Sequence, residues 1–162
     1  MSLATNISLC TQVSTDRKKT IKDPKGMSKS MYLIDNPNSR KFGKVDFDGC
    51  VFNNENEKCD YGLELYTLDN ERNEFVETIH YIELKGSDSR KGFKQLLSTI
   101  EASSRHYSIS SKKARLVVSK VATPDILDNK VMKKLARVTG ETLNGKNKRF
   151  TRTCKQFTEK IS

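Results

Sequence analysis

The chain has two histidines and four cysteines in 162 residues, and no two of the cysteines form a C-x-x-C pair. A zinc site, which needs nitrogen and sulfur ligands at close and regular spacing, is therefore poorly supported. A cysteine nucleophile would likewise lack an evident histidine base. Cys10, Cys50, Cys59 and Cys154 read as small core residues of a protein kept in a reducing, cytoplasmic interior, with a disulfide as the other reading. No apolar run approaches the roughly 20 residues of a membrane span. The opening "MSLATNISLC" has no basic stretch ahead of an apolar one, so neither a secretory signal nor a membrane partner is expected. There is no internal repeat. No zinc-finger or helix-turn-helix pattern is present, so cleavage at a defined base sequence is not expected.

What the chain does have is unevenly distributed charge. The formal net charge is +10, yet residues 44–88 carry twelve acidic against four basic side chains. The rest of the chain carries twenty-six basic against eight acidic ones. A basic surface suits a polyanion such as nucleic acid, and gathered carboxylates suit a cation. Lys146, Lys148, Arg149, Arg152 and Lys155 crowd the last basic stretch and are candidate nucleic-acid contacts. Phe150 and Phe157 interleave with them and read as core residues or as stacking platforms for bases.

Hydrophobic periodicity predicts an α/β fold. "KVDFDGCVF" alternates as a strand with an irregularity at Gly49, "CDYGLELYTL" is a second strand, and "FVETIHYIELKG" a third after the "DNERNE" turn. Phe93, Leu96, Leu97 and Ile100 then fall on one helical face. "ARLVVSKVAT" is a near-continuous apolar strand, as expected where both faces of a sheet are covered. A helix from Pro124 to Gly140 and a last basic strand follow. The order β-β-β-α-β-α-β implies a mixed central sheet flanked by helices. Residues 44–162 form this domain. Residues 1–43 are a basic N-terminal segment, read as an arm or as a first helix over about Met27 to Leu33.

The chemistry is expected at the second and third strands. A turn centred between Glu71 and Arg72 sets Asp60 directly opposite Glu83. Lys85 shares the face of Glu83, and His80 falls on the opposite face, where packing is its expected role. Two facing carboxylates repel, and Mg²⁺, which takes one or two carboxylates and keeps water and phosphate oxygens, would relieve that. An acid-x-Lys spacing alone says little, since it recurs at Asp16–Lys18, Asp23–Lys25 and Asp128–Lys130. Only Glu83–Lys85 lies in a predicted central strand with a paired acid. A surface ion pair is the plain alternative. Asp46 and Asp48 read as hairpin surface or as auxiliary ligands.

"CDYGLEL", "HYIELKG" and "GFKQLLSTI" together resemble the core of the PD-(D/E)xK nucleases, the restriction-endonuclease-like superfamily. The resemblance covers about residues 44–157. It implies a restriction-endonuclease-like sheet core and metal-dependent hydrolysis of phosphodiester bonds in nucleic acid, with DNA as the first expectation. It implies Mg²⁺ as cofactor, with Mn²⁺ as a substitute. Asp60 and Glu83 match the metal-binding acids, Lys85 the motif lysine, and Gln95 a glutamine many members carry on the next helix. Cys59 stands where the motif's name has proline, and Thr99 where a tyrosine often follows that glutamine. A homodimer or a larger nuclease complex fits such a protein. The alternative is a catalytically inactive module on the same fold, binding nucleic acid or a protein partner.

Overall fold

Alternating and continuous apolar runs in the middle of the chain build a six-stranded sheet. The computed structural model describes residues 2–53, 57–120, 129–141 and 151–162, with the backbone alone at 151–154. Among these residues three helices are α1 (Leu3–Leu9), α2 (Ser89–Ser103) and α3 (Asn129–Thr139). Nine strands are β1 (Thr11–Ser14), β2 (Lys18–Lys22), β3 (Met31–Asp35), β4 (Phe42–Asp46), β5 (Tyr61–Leu68), β6 (Glu74–Lys85), β7 (Ser111–Val118), β8 (Thr151–Cys154) and β9 (Gln156–Lys160). The large sheet has the order β1-β4-β5-β6-β7-β8, and a small one the order β2-β3-β9. From β1 to β6 the large sheet is antiparallel, and β6, β7 and β8 run parallel, so it is mixed as expected.

Both faces of the large sheet are covered. Val45, Ile79, Tyr81, Ala114, Leu116 and Val118 pack toward the helices, against Ile7 of α1, Phe93, Leu96 and Ile100 of α2 and Leu135 of α3. Phe42, Leu63, Leu65, Ile82, Leu84 and Val117 face the small sheet and its Ile21, Tyr32 and Ile34. Double coverage explains the unbroken "LVV" of β7, because each successive residue has a core to enter.

Three local expectations need correction. The segment after Asp46 is not a bulged strand: Phe47–Val51 is a single π-helical turn, with the Asp46 carboxylate accepting the Gly49 amide at 2.9 Å. Cys50 on this turn is bonded to Cys10 at the end of α1, so these two thiols are not free. The pairing of β1 with β4 brings them together. Finally, the first 43 residues hold α1 and three strands. The span expected as a helix ends in β3, whose Tyr32 and Ile34 are drawn into the core between β2 and β9. The start of the predicted 124–140 helix lies outside the described residues up to Asn129.

The β5–β6 hairpin is also built differently from its expected form. Its turn is one residue shorter, closed by the Asn73 carbonyl on the Asp69 amide at 2.9 Å, with Arg72 in the left-handed region at φ 65°. Leu68 therefore pairs with Glu74. A one-residue bulge between Leu65 and Tyr66 then shifts the register, so that Leu65 faces Thr78 and Tyr61 faces Ile82. The shift restores the expected pairing at the site end of the hairpin.

Candidate active site

At that end each carboxylate accepts a backbone amide from the opposite segment. The amide of Asp60 donates to Glu83 Oε2 at 3.0 Å, and the amide of Leu84 donates to Asp60 Oδ2 at 2.9 Å. Lys85 reaches back along its own strand, placing Nζ 3.2 Å from Glu83 Oε1. Its side chain keeps 21% exposure where that of Glu83 has 2%. All three line one pocket of about 340 Å³.

Burial dominates the electrostatics here. It pushes Asp60 up to about 6, against the pull of the Leu84 amide, and the Asp23 charge adds to the rise. Glu83 is pushed well above the usual carboxylate range, by burial first and the Asp60 charge second. The ammonium of Lys85 opposes this without cancelling it. Burial also raises the neighbouring Cys59 thiol, with Glu83 adding to the effect, so that sulfur is poorly suited to attack.

Helix α2 supplies the support. The Asp88 carboxylate caps it by accepting the Lys91 amide at 2.9 Å. Its apolar stripe enters the core as expected. Gln95, beside that stripe, is only 9% exposed and lines the pocket. Its Nε2 donates to the Lys58 carbonyl at 3.3 Å, and its Oε1 is buried without a hydrogen-bond partner. One turn on, Thr99 Oγ1 accepts the Cys59 amide at 2.7 Å. Ser98 Oγ accepts the Lys58 ammonium at 3.0 Å. Gln95, Ser98 and Thr99 thus hold residues 58 and 59 and so aim Asp60. The four-residue spacing from Gln95 to Thr99 was the available sign of this shared face.

The front of the chain adds side chains that sequence reasoning did not place here. The Asp23–Lys25 pair sits on the β2–β3 loop and lines the same pocket as Glu83 and Lys85. Asp23 Oδ1 and Oδ2 accept the Lys25 and Ser28 amides, which shapes the loop. Asp48, for which the sequence left open hairpin surface or an auxiliary ligand, is carried by the π-helical turn, lines the pocket and lies 3.9 Å from Lys25. Lys91 borders it from α2. Among the described residues no three carboxylate, thiol or imidazole groups converge as a closed metal cage would need. His80 lies on the other face, as parity predicted, 3.2 Å from Glu159.

The basic tail is only partly in view. Lys146, Lys148, Arg149 and Phe150 lie outside the described residues, and the side chain of Arg152 does too. Lys155 is exposed, at the junction of β8 and β9. Phe157 stacks on Tyr32 with ring centres 5.8 Å apart. Cys154 lies in β8, where only the backbone is described. No helix among the described residues is long and apolar enough to cross a membrane. Comparisons with protein families, curated proteins and solved structures find no match for this chain.

Proposed function

We propose that this pocket hydrolyses phosphodiester bonds of nucleic acid, with DNA the first substrate to test, at a PD-(D/E)xK-type site. One observation carries the reading. Asp60, just before β5, and Glu83 of β6 lie 23 positions apart, yet the Asp60 amide donates to Glu83, the Asp60 carboxylate accepts the Leu84 amide, and both share a pocket with Lys85. The meander β4–β5–β6, the crossover helix α2 and the parallel strand β7 support a restriction-endonuclease-like core.

Asp60 and Glu83 are the residues that would hold Mg²⁺, or Mn²⁺ in its place. Their fit rests on an all-oxygen donor pair whose charges are desolvated and mutually unfavourable without a cation. Such a metal, when bound, neutralises phosphate charge and acidifies water. The chain's own residues do the rest. Lys85 orients the attacking water and offsets charge growing on the phosphoryl group. Gln95 Oε1, buried and without a partner, accepts a hydrogen bond from that water. Lys25 and Lys91 border the pocket and offer cations to flanking phosphates.

A non-catalytic binding module is favoured by one contrary observation: the chain itself engages both oxygens of Glu83. A cytoplasmic setting belongs to the main proposal. There Cys10–Cys50 would cycle between thiols and disulfide rather than act as a permanent staple. The test is incubation with supercoiled DNA, linear DNA and structured RNA in Mg²⁺, Mn²⁺ or chelator. Metal-dependent cleavage that falls by about 10²-fold or more in Lys85→Ala supports the reading. Cleavage equal in both proteins, or none with any substrate while nucleic acid still binds, leaves the binding module.

A further inference from the structure

Beside the pocket lies a second, larger concavity of about 730 Å³. Met27 and Gly86 line both, so the two adjoin. Their charge differs in kind. Four carboxylates line the pocket, but among the described residues the groove has none: its charged lining there is Lys29, Lys120 and Lys155. All three lysines are exposed, and none forms an ion pair with a described carboxylate. Uncompensated cations around a concavity concentrate field and select an anion.

These lysines stand on a rigid frame. The Lys85 carbonyl accepts the Ser30 hydroxyl at 2.7 Å and the Ser119 amide at 3.0 Å. The Gly86 carbonyl accepts the Ser119 amide at 2.8 Å and the Lys120 amide at 3.0 Å. The Lys29 amide donates to Ser119 Oγ at 3.0 Å. The Lys155 carbonyl accepts the Met31 amide at 2.9 Å, and its own amide donates to Val118 at 2.6 Å. Residues 29–31, 85–86, 118–120 and 155 are thus tied to one another through their backbones. Lys155 also holds φ at 66°, a left-handed conformation that costs a β-carbon residue about 1 kcal/mol or more. Between groove and pocket stands Met27, an apolar side chain 83% exposed.

We infer that this groove holds the phosphate backbone of a single nucleic-acid strand leading away from the hydrolytic pocket, with Lys29, Lys120 and Lys155 each meeting a phosphate and Met27 set against the sugar-base face. The inference rests on the nuclease reading of the pocket but fails separately from it. Hydrolysis is read by Lys85→Ala, whereas strand binding is measured in chelator, where no cleavage occurs.

The experiment follows the anisotropy of a fluorescent single-stranded oligonucleotide with the full chain in EDTA, across a salt series. Each phosphate contact on a single strand contributes a slope of about 0.7 in log K against log salt. Lys29→Gln, Lys120→Gln and Lys155→Gln together should make the slope shallower by about 2. A fourfold rise in salt then costs the wild type about 20-fold more affinity than the triple variant. Lys133→Gln, Lys134→Gln and Arg137→Gln, on the exposed side of α3, remove the same charge elsewhere. If that control loses as much slope, or the groove variant keeps the wild-type slope, the inference is wrong. It is equally wrong if the wild type does not bind the strand. In Mg²⁺ the groove variant should raise KM for a single-stranded substrate with little change in kcat.

Discussion

Asp60→Asn should make the metal-free protein more stable, although it removes a candidate catalytic group. The Asp60 carboxyl is raised from 3.8 to about 6 in the folded state. Two pKa units at about 1.36 kcal/mol each mean that burying the ionised group costs about 3 kcal/mol. The folded value lies above the unfolded one, so the wild type is at its best below about pH 4, where the carboxyl is protonated in both states. That advantage drains away as pH rises through about 6 and the loss is then constant. Asparagine keeps the oxygen that accepts the Leu84 amide at 2.9 Å, and it removes the charge that helps push Glu83 upward. Urea unfolding in chelator should therefore find the variant more stable by about 3 kcal/mol near pH 8, and close to the wild type near pH 4. Adding Mg²⁺ should then stabilise the wild type and not the variant, closing the gap by mass action. A variant less stable than wild type near pH 8, or a gap of equal size at both pH values, would refute the reasoning.

Two further outcomes follow from other parts of the fold. Burial lowers His80 to about 4, despite Glu159 at 3.2 Å, which Arg115 shares at 3.0 Å. The folded value lies below the unfolded 6.5, so this stability is complete above about pH 6.5 and is lost as pH falls toward 4. By pH 5 the loss is about 2 kcal/mol, and the stability difference between wild type and His80→Gln should shrink by that amount between about pH 7.5 and 5 in urea titrations. Reducing Cys10–Cys50, which are 40 positions apart, releases the unfolded chain. It should lower unfolding free energy by about 4 kcal/mol on chain-entropy grounds, read as a shifted urea midpoint with and without a dithiol.

Strand parity was the most legible feature of this chain. It put Glu83 and Lys85 on one face of β6 and His80 on the other, because the period of two follows from backbone geometry alone. The facing of Asp60 and Glu83 was legible for a less secure reason. The turn is a residue shorter than expected, and the bulge beside Leu65 restores the register. No glycine or proline marks that bulge, so nothing local announces it. The small sheet was illegible because its partners are remote: Tyr32 of β3 pairs with Phe157 of β9. "KKTIK" and "MYLID" are short and half polar, and only that distant strand makes a layer of them. Asp23 reaches the pocket through this layer, which is why spacing along the chain did not place it, whereas Asp48, read as hairpin surface or as an auxiliary ligand, arrives on the π-helical turn.

The last run of the chain serves two sheets. Lys155 turns it from β8, beside β7, to β9, beside β3. During synthesis, residues 31–35 leave the ribosome long before residues 156–160 exist. Until the partner arrives, β3 has an open edge toward which another chain could pair. One wall of the lysine groove is missing for the same interval.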